Sequence, residues 1–235
     1  MEIDNPQIDL MYIESILVTS GENSNQDFFI PEDLYEAIST PLHKPLDWEH
    51  HAKEDDPKRE IIGTITNSWF EDLDGNKLEP EKFSDMPVEF NVATQSVLWK
   101  YLYNTRANEV QEGLNDSSLF VSMEMWFRKF DFVIKDSDKY YVVANNKNTA
   151  FLKKHLLRFG GDGTYSGKRI LCAPRKFIFG GQGIVKNPAN LRSDIKEVVA
   201  SNTTSNIIAN KTTIIDVKNN TSKPKVSMRF FDRLL

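Results

Sequence analysis

The chain has 235 residues, a net charge of −5 at pH 7, a pI near 5.5 and a mean hydropathy of −0.46. That length suits one core of ordinary size, with or without a tail, rather than two full domains. The acidic balance speaks against nucleic acid as the main partner, since phosphate binding needs a positive surface, and no run approaches the roughly 18 apolar residues of a membrane span.

Met1 to Leu10 carries acids where an export signal would carry a basic start and an apolar centre, so a cytoplasmic location is expected. Met11 to Ser20 alternates, is rich in Ile, Leu and Val, and reads as a first strand ending at the turn Gly21-Glu22-Asn23-Ser24-Asn25. A helix follows, with Pro31 at a favoured first-turn position, Glu32 and Asp33 beside its positive end, and Leu34, Ala37 and Ile38 as its buried stripe, until Pro41 stops it. Pro45 to His50 is a short extended piece, Ala52 to Glu60 a polar loop, and Ile61 to Phe70 a strand closing at Asp74-Gly75-Asn76. The spacing of Val92, Ser96, Trp99 and Tyr103 predicts a helix over Asn91 to Tyr103 that continues toward Glu112 and ends at Gly113. Leu119 to Phe127, Phe130 to Lys135 and Tyr140 to Ala144 read as strands of a meander. A short helix around Thr149 to Arg158, the glycine-rich stretch Gly160 to Gly167, and strands at Arg169 to Cys172 and Lys176 to Phe179 complete the core. Cys172 is the single cysteine, which fits a reducing compartment and leaves neither an internal disulfide nor a cysteine-built zinc site.

The core is expected to end near Val199, giving a domain over residues 1–199 and a tail over 200–235. Ser201 to Lys225 has too few large apolar residues to offset the entropy of folding and reads as a flexible segment, in which the sequons at Asn202, Asn210 and Asn220 carry no meaning. Met228 to Leu235, with Phe230, Phe231, Leu234 and Leu235, is expected to be a docking peptide.

Of four histidines, His50 and His51 stand in a setting that suggests chemistry, directly after Leu46-Asp47-Trp48-Glu49. If that piece is a strand, Trp48 and His50 share one face and Glu49 and His51 the other, so a buried Trp48 brings His50 inward and leaves His51 wet. The bland alternative is two surface histidines. In Leu119 to Phe127, Ser122, Glu124 and Trp126 project to one side of an apolar strand, and a buried hydroxyl or carboxylate there needs hydrogen-bond partners or a cleft. A histidine satisfies both: serine becomes a good nucleophile only when an adjacent base takes its proton, and the base works best when a third group fixes its tautomer. The alternative is a small serine and a solvated glutamate on a half-exposed strand. No metal-ligand spacing is present, and neither a metal nor a cofactor is expected.

Residues along most of the chain resemble the tailed-phage prohead (capsid-maturation) proteases. The matching stretches are Lys44-Pro45-Leu46-Asp47-Trp48-Glu49-His50, Ile61-Ile62-Gly63-Thr64-Ile65, Val121-Ser122-Met123-Glu124, Leu157 to Gly167, and Gly180-Gly181-Gln182-Gly183-Ile184-Val185-Lys186-Asn187-Pro188-Ala189-Asn190. The resemblance spans about Ile13 to Ile195. It implies that His50 and Ser122 are the catalytic base and nucleophile, with Glu124 as the third member and Glu49 and Asp162 as alternatives. Because the family is similar to the herpesvirus assemblins, it also implies an α+β fold: a small, mainly antiparallel β-barrel surrounded by helices. The substrates implied are capsid and scaffold/core proteins, cut inside the assembling prohead in the host cytoplasm by an enzyme that forms a homo-oligomer, with a dimer as the simplest case. Large-myovirus members cut after a glutamate preceded two residues earlier by Leu or Ile, so Ile195-Lys196-Glu197 predicts self-cleavage after Glu197. Ile30-Pro31-Glu32 and Leu34-Tyr35-Glu36 fit the same pattern but fall inside structured elements.

Three further expectations follow. Backbone N–H groups near Arg158 to Gly163 are candidate oxyanion donors, against the alternative that these glycines only shape turns. Gly160-Gly161-Asp162-Gly163-Thr164 looks like the nucleotide loop of NAD and diacylglycerol kinases but lacks a strand before it and a helix after it. A prohead scaffold component that keeps the protease fold is the non-enzymatic rival, and such a component has no need of the Ser122 and His50 pair.

Overall fold

The structure is a computed structural model that describes residues 9–51 and 55–199. The expected tail over 200–235, its sequons and its docking peptide lie outside the described residues. In chain order the strands are β1 (Leu10–Thr19), β2 (Gly21–Glu22), β3 (Phe28–Phe29), β4 (Pro45–Trp48), β5 (Ile61–Glu71), β6 (Lys77–Leu78), β7 (Asn91–Trp99), β8 (Phe120–Trp126), β9 (Lys129–Asp136), β10 (Lys139–Val143), β11 (Thr164–Tyr165), β12 (Lys168–Arg175), β13 (Ile178–Val185) and β14 (Ile195–Val199). Two α-helices, α1 (Pro31–Glu36) and α2 (Asn104–Asp116), and short 3-10 turns at Phe83–Asp85, Ala150–His155 and Leu157–Phe159 complete the order. The class is mixed α/β, with strands dominant and few helices. No helix among the described residues is long and apolar enough to cross a membrane.

The main sheet runs β14-β1-β7-β5-β4-β13-β8, with β6 beside β5, and β4–β13 is its parallel pair. It curls into a half-barrel. The residues just before β14 join its two ends: Val121 N–H donates to the Ser193 carbonyl at 2.9 Å, and Ile16 N–H to that of Asp194 at 3.2 Å. A buried polar triangle records the same curl. Thr94 Oγ1 donates to Gln182 Oε1 at 2.7 Å, Gln182 Nε2 donates to Ser15 Oγ at 3.1 Å, and the two hydroxyls lie 3.3 Å apart. Gln182 on β13 meets Ser15 and Thr94 only because the sheet folds back on itself. Satisfied in this way, three buried polar groups fix register instead of costing their desolvation.

Alternation puts Ile13, Ser15, Leu46, Trp48, Val121, Gln182 and Ile184 on the inner face, where most of them pack with Ala107 and Val110 of α2. With so few apolar contacts of its own, α2 is held by tertiary contacts. Arg106 donates to both Glu60 oxygens, at 2.9 and 2.8 Å, and lies 4.3 Å above the Trp48 ring, which pins the loop after β4. A second cluster centred on Phe29, Phe70, Phe90 and Phe179 joins α1 to the sheet. The four-stranded sheet β10-β9-β12-β11 stands beside it.

Three local expectations are corrected. Asn91–Trp99 is strand β7, not a helix, because it lies between β1 and β5 with nearly every residue buried, which erases alternation. Gly113 does not end α2, which runs on to Asp116 and closes at Ser117 in the left-handed region; a Cβ at Gly113 would come within 2.5 Å of the Leu119 side chain. The helix predicted around Thr149 to Arg158 is two 3-10 turns.

Candidate active site

Three neighbouring strands, β4, β13 and β8, carry the site on the outer face of the half-barrel. Gly183 of β13 is paired with Asp47 on one side and Ser122 on the other, and two residues along, on the same face, Gly181 is paired with Glu124. Directly paired residues share a face, so Asp47, Ser122 and Glu124 rise around a floor made of glycine. Side chains on that floor would fill the site: a Cβ at Gly183 would lie 2.8 Å from His50 Nδ1 and 3.1 Å from Asp47 Oδ1, and one at Gly181 would lie 3.1 Å from Glu124 Oε2. Ser122, Glu124 and Trp126 share a face, as the alternation predicts.

His50 arrives by a different route from the one expected. Strand β4 stops at Trp48, and Glu49 and His50 both take left-handed conformations, with φ of 52° and 66°. Glu49 N–H donates to the Ile184 carbonyl at 3.0 Å and His51 N–H to the Trp48 carbonyl at 3.1 Å. The turn throws the imidazole back over Gly183. Each left-handed non-glycine residue costs about 1–3 kcal/mol, which surrounding structure must offset, and such strain concentrates at functional sites. The strand-face argument for His50 therefore fails, as does the expectation of a wet His51. His51 is the less exposed of the two side chains, at 25% against 37%, and its Nδ1 lies 2.7 Å from Asp56 Oδ2.

His50 Nδ1 is 3.3 Å from Glu124 Oε1, an ion-pair approach without the alignment of a good hydrogen bond. The ligand-type atoms of Asp47, His50 and Glu124 all fall within 4.8 Å of one another. Asp47 is 0% exposed, and neither of its carboxylate oxygens has an aligned hydrogen-bond partner. Burial, and then the nearby Glu124 charge, push its carboxyl up to about 7, while the His50 ring and backbone N–H act in the opposite sense. The His50 imidazole is held above its ordinary value, chiefly by Glu124 and further by Asp47, against the opposing effect of burial. Both acids thus favour the imidazolium.

Paired β-residues have Cβ atoms about 4.5–5.5 Å apart. With the 2.8 Å from His50 Nδ1 to the Gly183 Cβ position, this keeps Ser122 Cβ within roughly 8 Å of the ring nitrogen. Among the described residues the Ser122 hydroxyl makes no hydrogen bond. Ser122 also borders an open cleft of about 170 Å³ lined by Asn23, Asn25, Met125, Arg158 and Asn190.

Of the sequence candidates, His50, Ser122 and Glu124 come together. Glu49 is exposed and turned away at the left-handed bend. Asp162 instead accepts the Thr164 N–H at 2.9 Å, closing its own loop. Four of the expected oxyanion donors are engaged elsewhere: the N–H groups of Phe159, Gly160, Gly161 and Gly163 bind the carbonyls of Leu156, Leu157, Leu156 and His155. These glycines serve packing. A Cβ at Gly161 would meet the His155 carbonyl at 2.4 Å, and Gly163 has a φ of +74°. A 3-10 turn precedes the stretch and strand β11 follows, so a nucleotide loop has neither of its flanking elements. Asp47 is the group that sequence reasoning missed. The signal was present: an acid inside an apolar strand needs a partner by the same rule that singled out Ser122 and Glu124.

No family model, no curated protein and no solved structure matches this chain, so the reading of the site stands on its geometry and chemistry.

Proposed function

We propose that this chain is a serine endopeptidase of the prohead-maturation type, with Ser122 as nucleophile, His50 as base, and Glu124 and Asp47 as the acids behind the base. The observation that carries the reading is the orientation of His50. Its Nδ1 side is turned to two carboxylates, 3.3 Å from the nearer one, while the ring lies over the glycine paired with Ser122. A serine hydrolase needs that division of labour: an acid on Nδ1 fixes the tautomer and leaves Nε2 free to take the hydroxyl proton.

In the reaction, Nε2 accepts the Ser122 proton as Oγ attacks the substrate carbonyl. The imidazolium, stabilised by Glu124 and Asp47, then returns the proton to the departing amine. Water enters by the same route to release the acyl group from Ser122. The remaining gap between hydroxyl and ring closes by movement of a His50 side chain that is 37% exposed, as expected for a site that tightens on substrate.

The finer proposals follow from the family resemblance: an assemblin-like barrel, capsid and scaffold/core proteins as substrates, homo-oligomeric assembly inside the prohead, and self-cleavage after Glu197. A fluorophosphonate probe followed by intact mass spectrometry tests the chemistry. One adduct on the wild-type chain is expected, absent from Ser122→Ala and His50→Ala. A folded wild-type chain that takes no label and leaves capsid protein uncut would overturn the reading in favour of a scaffold role.

A further inference from the structure

We propose that Asp47, His50 and Glu124 form a zinc site, and that zinc bound there switches the enzyme off. The inhibitory half rests on the serine protease reading above; the binding half does not.

The donor set is one imidazole nitrogen and two carboxylates, with ligand-type atoms within 4.8 Å of one another. Bonds of about 2.0–2.1 Å to a tetrahedral zinc place neighbouring ligand atoms about 3.4 Å apart. The His50 Nδ1 to Glu124 Oε1 separation of 3.3 Å already has that value, and the widest separation must shrink by at most about 1.4 Å.

A cluster of acids alone would carry little weight, since most are solvated faces. Asp47 is different. It is 0% exposed, neither oxygen has an aligned hydrogen-bond partner, and its Oδ1 crowds the same empty Cβ position at Gly183 as His50 Nδ1, at 3.1 and 2.8 Å. A buried carboxylate without partners is costly unless a proton or a cation meets it. The mixed nitrogen and oxygen donors suit zinc better than magnesium or calcium, which prefer all-oxygen shells. Glu124 and His50 are partly exposed, at 25% and 37%, so an ion has a path in.

The functional consequence follows from proton counting. A neutral imidazole has one ring proton, and coordination through Nδ1 leaves that proton on Nε2, while any second proton passes to solvent. Nε2 is then a donor. It has no lone pair for the Ser122 proton, and the acids that would stabilise an imidazolium are occupied by the metal. Ligand spacing along the sequence reveals no such site, because His50 and His51 are its only close histidines and the third ligand comes from β8.

Zinc titration of the full-length Ser122→Ala chain by calorimetry is the direct test, since this variant keeps all three ligands and cannot digest itself. One zinc per chain is expected, with tetrahedral d–d absorption when cobalt replaces it. Affinity should fall at least about tenfold in Asp47→Asn and in Glu124→Gln, and stay unchanged in His51→Ala. Circular dichroism checks that each variant folds, and the partly exposed Glu124 provides a second route if Asp47→Asn does not. No saturable binding, or binding that depends on His51 and not on Asp47 or Glu124, overturns the proposal. In the wild-type enzyme, zinc should stop peptide cleavage and EDTA restore it. Peptide cleavage without zinc binding sinks this inference alone; zinc binding without cleavage sinks the protease reading and the inhibitory half.

Discussion

Replacing Asp47 by asparagine should make the protein more stable at alkaline pH and less active there, where the native carboxyl is ionised. Asp47 is a fully buried acid whose folded-state pKa is raised from 3.8 to about 7, first by burial and then by Glu124. A raised acid binds its proton more tightly in the native state than in the unfolded chain. Its ionisation therefore costs nothing below the unfolded value, takes a growing toll between about 4 and 7, and reaches its full cost above 7. At about 1.4 kcal/mol for each unit, the full cost is on the order of 4 kcal/mol, of which about 2–3 kcal/mol develops between pH 5 and pH 8. The amide that replaces the carboxylate has no charge to bury. Urea unfolding of Ser122→Ala with and without Asp47→Asn, at pH 5 and pH 8 in EDTA, measures the difference, the Ser122→Ala background preventing self-digestion. The gain should be larger at pH 8 by about 2–3 kcal/mol, while in the Ser122 background kcat falls because a neutral amide cannot stabilise the imidazolium. A pH-independent difference, or a loss of stability that grows with pH, would refute the reasoning.

Glu124→Gln removes the largest contribution holding the His50 pKa up, so the acid limb of the kcat/KM profile should move to lower pH while the plateau falls by about 10²–10⁴, an effect read from rates across pH 5 to 9; an unmoved limb assigns it to another group. Gly183→Ala and Gly63→Ala should fail in different ways. The first pushes a methyl to 2.8 Å from the His50 ring, which can swing aside, so cleavage is lost while the thermal midpoint changes little; the second drives a methyl into the Val97 carbonyl, which is backbone, so folding itself suffers. Thermal melts and peptide rates on both separate the two. Self-cleavage after Glu197 must first free β14, which pairs with β1 through Glu14 opposite Glu197 and is tied to Glu71 by Lys196. Intact mass spectrometry should therefore show slow loss of residues 198–235 in the wild type, faster in Glu71→Ala and absent in Ser122→Ala; an intact wild-type chain over days refutes it.

Sequence patterns showed most where one face of an element is wet. Strands β1, β5, β8 and β9 lie close to their expected ranges, β1 because burial alternates along it, and α1 starts where expected because Pro31 and the first-turn acids mark its start. Strand β7 was illegible for the opposite reason: buried on both faces, Asn91 to Trp99 has no polar rhythm, and Val92, Ser96 and Trp99 fell by chance on a helical spacing. The site divides along the same line. Ser122 and Glu124 stand out as polar positions in an apolar strand, whereas Asp47, an acid buried deeper than either, is masked in the sequence by the adjacent Glu49 and the two histidines after it. Nor can local pattern foresee two consecutive left-handed residues, since Glu49 and His50 are held there by hydrogen bonds whose partners include Ile184 of β13. The decisive omission is the part of β13 beyond Phe179, where the expected strand stops. Gly181 and Gly183 look like turn residues in a one-dimensional reading, but in the sheet they are the vacancies that let side chains from β4, the following turn and β8 converge. The chemistry of this site is therefore written as much in the side chains missing from one strand as in those present on its neighbours, and a bulkier residue at either glycine should erase it while leaving Ser122, His50 and both acids in the sequence.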